Sequence, residues 1–578
     1  MTTQEATVDA RIPPKDNVHL PVAAGRPRWR ALLWPALAFG FISIYFGSRA
    51  WFMIVPEGDS TLHLHFMEIV AKGQLPKTIP YFAAIVGEGG VTEAFFPYSY
   101  TPLFHFLGGA VFKVGGESAV LMMNPFWAGI IAVGMVYLLR SNPWPVGALA
   151  IGLFFFHWLT HPVMTWILME PMMLAFFVGG LWFYQRAWAG YSIRAAALAG
   201  VFFGLAVATR QSALLYVVFV ALHAGGTLLF AFLRGLRGSK VRVKARNYAV
   251  MAVTMGLVSL PFLAYLIWTS GTIGYGDLSI PGIDPQLPID DVANQYVSAI
   301  STPAGTPLAW FNTFWSWTLF TGRWQPQIIA YLAMVFFGIG LWHLATRGDK
   351  ASRFLASYAS VHIVAELVGF LILHGNWRYI VATRMLFSMI VAVGVWYVIS
   401  AAFQIAKDGA RQHRFAAGMA GTALAAMVIA PTFVSPGLVD YLIHRDEDRS
   451  EKGVSYRELG EFTDDHVPED ALILSGRWYT TGWYLRRNYT WVNYFGNAWV
   501  IDAISDKNPE VVRDILEQYG IDYIVFQAPL ATYIDRMPQG GLRTIVLDDL
   551  EHFQLVFRNE RTRLYRFWPD GMQRLSRR

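Results

Sequence analysis

The chain has 578 residues, of which 54% are hydrophobic and 15% are charged, and its mean hydropathy is +0.37. A soluble protein carries about 25% charged residues, and this sequence instead repeats apolar runs long enough to cross a hydrocarbon core about 30 Å thick. The net charge of +6 comes from basic residues in short loops, which indicates membrane topology and not nucleic-acid binding. The absence of cysteine excludes disulfides and thiol chemistry. The composition therefore predicts an α-helical polytopic membrane protein.

The apolar segments predict the path of the chain through the membrane. Residues 1–30 are polar and are expected to form a cytoplasmic N-terminal tail. We predict about eleven transmembrane helices within a membrane domain at residues 31–439. Their approximate bounds are 31–53, 118–139, 144–161, 168–188, 193–210, 212–233, 247–269, 326–346, 354–374, 379–404 and 415–435.

Basic residues in the loops predict the orientation of these helices. If the N-terminus is cytoplasmic, twenty Lys and Arg residues fall on the internal side, and six fall on the external side before the C-terminal domain. This asymmetry follows the positive-inside rule. We therefore expect the first long loop and the C-terminal domain to be external.

Three external segments are predicted. The loop at residues 54–117 is acidic and contains two apolar stretches, 62–72 and 100–114, which we expect to lie as helices at the membrane interface. A second external loop covers residues 270–325. Residues 440–578 contain four predicted strands near 471–474, 523–526, 553–558 and 562–568, and a helix that begins at Pro509. Their order predicts an external soluble α/β domain.

Asp59 is the first candidate catalytic residue, because it directly follows the first span and is followed by His63 and His65. A carboxylate at the membrane surface can accept a proton from a hydroxyl or amine nucleophile. Asp59 could instead cap a helix that begins near Ser60. Aspartate and histidine also bind divalent metal ions, so Asp59, His63 and His65 form a possible metal site, and no other cofactor is expected.

Ionisable residues at the predicted external ends of other helices form a second group of candidates. Glu170 precedes Pro171 at a helix start, where it could face a cavity or simply interact with the positive helix end. Arg210 and Arg378 depart from the positive-inside bias. Either arginine could bind a lipid phosphate bidentately or anchor a helix end at the interface.

Two tyrosines in the first loop, Tyr98 and Tyr100, belong to the segment Tyr98-Ser99-Tyr100-Thr101-Pro102-Leu103. Tyrosines at a membrane interface can stack on sugars, and they are also ordinary residues of the aromatic belt. The sequence leaves both interpretations open.

The order of these parts resembles the GT-C superfamily of polytopic glycosyltransferases, which use lipid-phosphate sugars as donors. That superfamily includes protein O-mannosyltransferases, the aminoarabinose transferases of lipid A and the catalytic subunit of oligosaccharyltransferase. The resemblance rests on the early acidic residue of the first loop, the Tyr-x-Tyr-x-Pro-Leu segment, the pair Arg378-Tyr379 before a late helix, and the external C-terminal domain. Asp59 is followed by Ser60, so the Asp-Glu pair of the mannosyltransferase branches is absent.

The resemblance implies an inverting transfer of a sugar from a polyprenyl-phosphate donor to a lipid, glycan or protein acceptor, at the external face of a plasma membrane. It makes Asp59 the general base and Glu170 a second catalytic acidic residue. It also implies that Arg378, with Arg210, holds the donor phosphate. Tyr379, His63, His65, Tyr98 and Tyr100 are then candidate substrate contacts.

Two other functions fit the same composition. A transporter or flippase for a lipid-linked or anionic substrate would use the arginines to line a path. Its charged residues should lie near the bilayer midplane, whereas most of those in this sequence lie at the ends of the predicted helices, with Glu366 as an exception. A non-catalytic assembly or receptor subunit would leave the acidic first loop unexplained.

Overall fold

A computed structural model describes residues 28–81, 98–270, 314–315, 318, 327–373, 380–408, 423, 426, 446–491, 508–527 and 541–572, with gaps at 57, 79, 99, 158, 235–237 and 476–477. Most of the predicted external loop 270–325 and of the predicted last span, 415–435, lies outside these residues. Arg378 and Tyr379 lie outside them as well.

Helices dominate the part of the chain that precedes residue 440. They are α1 (Arg28–Met53), α2 (Asp59–Ala71), α3 (Leu103–Leu121), α4 (Met123–Leu138), α5 (Trp144–Phe155), α6 (His161–Thr165), α7 (Glu170–Gly190), α8 (Ile193–Thr209), α9 (Ala213–Leu233), α10 (Ser239–Ser270), α11 (Gln327–Thr346), α12 (Lys350–Leu373) and α13 (Val381–Asp408). A helix is thus present in each predicted helical segment that the structure describes, including the two short stretches of the first loop, but the bounds differ, since α5 ends at Phe155 and α3 continues to Leu121.

Length and apolar composition allow four of the described helices to cross a membrane, namely α1, α9, α10 and α13. The bent pair α3 and α4, whose axes differ by 76°, would make a fifth. Gly115 and Gly116 interrupt the helical backbone of α3, and Gly116 has a φ of 62°, which favours glycine. Other described helices, such as α5 with 12 residues, are shorter than a typical span. The predicted number of about eleven spans is therefore not confirmed.

The helices pack into one bundle around a continuous apolar core. Within it α8 packs against α7 and α10, α1 packs against α4, and α11 packs against α13. Gly340 of α11 and Gly394 of α13 allow the last pair to approach closely, because a Cβ at either position would collide with the backbone of the other helix.

The C-terminal region is an α/β domain, as predicted. It contains α14 (Asp446–His466), β1 (Leu472–Ser475), α15 (Trp478–Leu485), β2 (Asn488–Trp491), α16 (Pro509–Gln518), β3 (Tyr523–Gln527), α17 (Gly541–Asp548), β4 (Phe553–Arg558) and β5 (Thr562–Phe567). The sheet order is β2-β1-β3-β5-β4. Strand β1 is parallel to β2 and β3, and β5 is antiparallel to β3 and β4.

The first loop and the C-terminal domain share a core. Leu62 and Phe66 of α2 pack in one cluster with Tyr456 of α14, Ile473 of β1 and Tyr489 of β2. Helix α15 also packs against α2. The start of α2 is therefore held between the helical bundle and the α/β domain.

Candidate functional site

Asp59 is the first residue of α2 and is half-buried. The cap position belongs to Gly58, whose φ of 60° suits glycine, and no side chain forms a capping hydrogen bond there. The N–H of Gly58 donates to Oγ1 of Thr480 in the C-terminal domain at 2.8 Å. Asp59 therefore does not occupy the cap position itself, and its carboxylate stands at a helix start that the α/β domain holds in place.

The two histidines that follow Asp59 have different neighbours. Nδ1 of His63 lies 2.9 Å from Nε2 of His105 in α3. The ring of His65 instead packs against Trp483, with centroids 5.0 Å apart, and against Tyr81 at 5.5 Å. The predicted metal set is thus split between two surroundings. Among the described residues, no group of three or more histidine or acidic side chains is arranged to bind a metal ion.

His105 extends the contact of His63 into a hydrogen-bonded chain. The hydroxyl of Tyr98 lies 2.6 Å from Nδ1 of His105. Tyr98 is completely buried, so it does not face lipid as a belt residue would. Tyr100 packs its ring edge-on against His63, with centroids 5.7 Å apart. Tyr100 therefore adjoins His63, which follows Asp59 by one helical turn, and Tyr98 is linked to His63 through His105.

Glu170 and Arg210 form an ion pair. Glu170 begins α7, and Arg210 directly follows the last residue of α8 with an extended backbone. Both side chains are almost completely buried. Within the protein, the carboxylate of Glu170 therefore offsets part of the charge of Arg210.

The segment before Glu170 packs beside α2. Nδ2 of Asn124 donates to the carbonyl oxygen of Trp166 and, at 3.0 Å, to that of Leu168. This segment belongs to the same apolar cluster as Leu64 of α2 and Phe104 of α3. The segments that carry Asp59 and Glu170 are thus joined through one apolar cluster.

A second buried polar group lies between α12 and α13. The hydroxyl of Thr383 donates to Glu366, and Nε2 of His362 lies 3.5 Å from Oε2 of the same carboxylate. Arg384 is also completely buried, and within the described part of the chain none of its guanidinium nitrogens has a hydrogen-bond acceptor. Ionisable groups inside a membrane bundle are costly and are commonly functional. In the sequence Glu366 and Arg384 were visible only as isolated charges within apolar segments.

Charged contacts also join α2 to the C-terminal domain. Nη1 of Arg486 donates to Oε2 of Glu68 at 2.6 Å, and its guanidinium stacks over Trp483. Burial opposes ionisation of Glu68, but the hydrogen bond and charge of Arg486, with help from Lys72, outweigh it and lower the pKa of Glu68. The pKa of His65 is well below its ordinary value, first through burial and then through the charges of Arg486 and Lys72.

Solved membrane glycosyltransferases share this architecture over nearly the whole chain. ArnT from Cupriavidus metallidurans bound to undecaprenyl phosphate matches with a TM-score of 0.54 at 13% identity, over 94% of this chain and 98% of that one. The Archaeoglobus fulgidus oligosaccharyltransferase tethered with an acceptor peptide containing the NVT sequon matches with a TM-score of 0.55 at 12% identity, over 93% of this chain and 74% of that one.

A further match is AglB, the archaeal oligosaccharyltransferase from Archaeoglobus fulgidus, in complex with an inhibitory peptide and a dolichol-phosphate. Its TM-score is 0.54 at 12% identity, over 91% of this chain and 73% of that one. No protein-family model and no curated protein sequence matches the chain. The chain therefore has the fold of GT-C glycosyltransferases, which confirms the resemblance predicted from the sequence.

Proposed function

We propose that this protein is a membrane glycosyltransferase that moves a sugar from a polyprenyl-phosphate donor to an acceptor at the external face of a plasma membrane. One observation carries the proposal. Asp59 begins a helix held between bundle and α/β domain, in a fold shared almost end to end with a transferase bound to undecaprenyl phosphate. The acceptor is a lipid, glycan or protein that offers a hydroxyl or an amine.

The proposed reaction is a single displacement at the anomeric carbon. The acceptor oxygen or nitrogen forms a bond to that carbon from the face opposite the phosphate. The bond between the anomeric carbon and the phosphate oxygen breaks, and its electron pair stays on the polyprenyl phosphate. The acceptor proton passes to the carboxylate of Asp59, which acts as the general base. Inversion at the anomeric carbon follows from this geometry.

The leaving phosphate requires charge stabilisation more than protonation. We propose that Arg378 supplies it with help from Arg210, and that Tyr379 adjoins the same phosphate. The ion pair between Glu170 and Arg210 supports a shared role for the two residues. In this role Glu170 orients the guanidinium of Arg210, and the remaining N–H groups of that guanidinium face the donor. Tyr100 is half-buried beside His63 and is proposed to contact the sugar.

Substitution of Asp59 tests the assignment of the base. The protein, reconstituted with polyprenyl-phosphate sugars, should transfer sugar to acceptor, and Asp59→Asn should slow this transfer by about 10²- to 10⁴-fold, the usual contribution of a general base. Glu510→Gln, which removes an exposed carboxylate from α16, is the matched control and should transfer at the wild-type rate. Wild-type activity in Asp59→Asn would overturn the base assignment.

Transport of a lipid-linked or anionic substrate is the second candidate function, and the buried group around Glu366 and Arg384 favours it. The same proteoliposomes distinguish the two. A flippase would move a fluorescent lipid-linked sugar between leaflets without forming a new glycosidic bond, and Asp59→Asn would leave that movement intact.

A further inference from the structure

The chain Tyr98–His105–His63 has no assigned role in the transfer described above. It joins the segment before α3, helix α3 and helix α2 through contacts of 2.6 Å and 2.9 Å. All three side chains are at most 4% exposed, so water cannot replace either hydrogen bond. The inference drawn from it rests on the proposed function, because it assigns a role beside Asp59.

Burial fixes the direction of the first hydrogen bond. Nδ1 of His105 is the one hydrogen-bond partner of the Tyr98 hydroxyl among the described residues. A buried hydroxyl hydrogen left unpaired is unfavourable, so Tyr98 donates and Nδ1 of His105 accepts. A neutral imidazole that accepts at one nitrogen carries its hydrogen on the other.

The direction of the first hydrogen bond determines that of the second, between His105 and His63. His105 is enclosed by the rings of Phe66, Tyr98, Tyr100 and Phe104, an aromatic surrounding that disfavours an imidazolium. Its Nε2–H therefore donates to Nδ1 of His63. The remaining hydrogen of a neutral His63 must then lie on Nε2. The tyrosine hydroxyl thus sets the tautomer of a histidine with which it makes no hydrogen bond of its own.

We propose that the hydrogen-bonded chain Tyr98–His105–His63 holds His63 as a permanent Nε2–H donor to the carboxylate of Asp59, and so positions this general base. Residues four apart lie on one face of a helix, and helical side chains lean toward the N-terminus, so His63 leans toward Asp59. One oxygen of Asp59 accepts from His63, and the other keeps its lone pairs for the acceptor proton. No proton moves along these hydrogen bonds during turnover, because the Tyr98 hydroxyl has no further hydrogen-bond partner among the described residues.

Nitrogen-15 NMR of the full-length chain with labelled histidine measures this tautomer directly and needs no sugar donor. The wild type should show both His63 and His105 protonated at Nε2, with the signals assigned by His63→Asn and His105→Asn. Tyr98→Phe should shift both residues toward a mixture of tautomers. Tyr265→Phe is the matched control, because its hydroxyl donates to the carbonyl oxygen of Pro76 and not to this chain.

Kinetic measurements then show whether the hydrogen bonds of Tyr98 and His105 position the base or whether these side chains only pack. Tyr98→Phe should lower kcat by about 10- to 100-fold, the usual effect of losing an orienting partner, and leave the KM for donor unchanged. His105→Gln can still present an amide N–H to Nδ1 of His63 and should preserve both the tautomer and most of the activity. His105→Leu should lose both.

The tautomer of His63 in the wild-type spectrum is the decisive measurement. A His63 protonated at Nδ1 would overturn the proposal, and so would equal behaviour of His105→Gln and His105→Leu. If the tautomers are as expected but Asp59→Asn transfers sugar normally, the proposed function fails while the hydrogen-bond direction stands. The two failures are therefore distinguishable.

Discussion

At the residue scale, the ion pair between Glu170 and Arg210 shows how burial changes the meaning of a charge. As separate letters in the sequence, the two residues suggested a catalytic carboxylate and a phosphate ligand. In the structure they lie together, almost without exposure to solvent. Each charge is tolerated there because the other offsets the cost of removing it from water.

Breaking this pair should therefore destabilise the protein strongly. Glu170→Gln leaves the guanidinium of Arg210 buried without its carboxylate, and we expect a loss of about 3–5 kcal/mol in the free energy of unfolding. Glu170→Gln combined with Arg210→Gln should cost less than the sum of the single changes. Thermal unfolding in detergent of the four proteins of this double-mutant cycle measures the coupling, and additive effects would show that the pair contributes nothing.

The limits of sequence reasoning at this scale have a physical cause. Asp59 and His63 could be found because they share one helical turn, where spacing alone predicts proximity. His105 could not, because it lies 42 residues away from His63 and its own segment is an apolar, aromatic stretch. Which histidine it meets depends on how α3 packs against α2, and no local pattern encodes that packing.

At the element scale, backbone contact between α11 and α13 depends on paired glycines. The sequence predicted both helices from their apolar runs, but it could not show that Gly340 and Gly394 meet. Strand β2 was also missed. It lies at the edge of the sheet, and its sequence Asn488-Tyr489-Thr490-Trp491 lacks the continuous apolar run by which the equally short β1 was predicted.

The close approach at Gly394 predicts that alanine destabilises the protein at this position but not at Gly338. Gly394→Ala places a methyl group against the carbonyl oxygen of Phe336, and we expect a loss of about 1–3 kcal/mol in stability through overpacking. Gly338→Ala, on the same helix as Gly340 but with nothing within 4 Å of its added methyl group, should be neutral or slightly stabilising. Equal unfolding temperatures for the two variants in detergent would contradict this close approach.

The contact of α2 with the α/β domain should depend on pH through His65. The folded chain holds His65 neutral, since burial and the charges of Arg486 and Lys72 keep its pKa well below the ordinary 6.5. Once unfolded, the residue binds a proton as the pH falls through about 6.5, so stability is full above that pH and decreases below it.

Substitution of His65 by glutamine should reduce this dependence. The drop in unfolding temperature between about pH 7.5 and pH 5.5 is expected to be smaller in His65→Gln than in the wild type. His466→Gln, which changes an exposed histidine at the end of α14, should keep the wild-type drop. An unchanged drop in His65→Gln would mean that other groups control the acid sensitivity.

At the scale of the whole molecule, the boundary predicted at residue 440 separates two kinds of composition but not two independent cores. Leu62, Phe66 and Tyr98 of the first loop share a cluster with Tyr456 and Ile473 of the C-terminal domain. The sequence indicated which segments are apolar and which form a soluble domain. It could not indicate this shared core, because its members are separated by several hundred residues.

The shared core constrains topology, because the first loop and the α/β domain must lie on the same side of the membrane. Loop charges predict that this side is external and that the turn between α11 and α12 is internal. The chain contains no cysteine, so single cysteines can report each side without background. Glu510 in α16 and Lys350 at the start of α12 are both exposed and suit this purpose.

We expect a membrane-impermeant maleimide to label Glu510→Cys in intact cells. It should label Lys350→Cys only after the membrane is permeabilised, because a charged reagent cannot cross the hydrocarbon core. Denatured samples provide the control for complete labelling of each cysteine. The reverse pattern would place the start of α2, and Asp59 with it, on the cytoplasmic side. Because α2 and the α/β domain share a core, both would then lie on the cytoplasmic side. That result would contradict the proposed transfer to an acceptor at the external face.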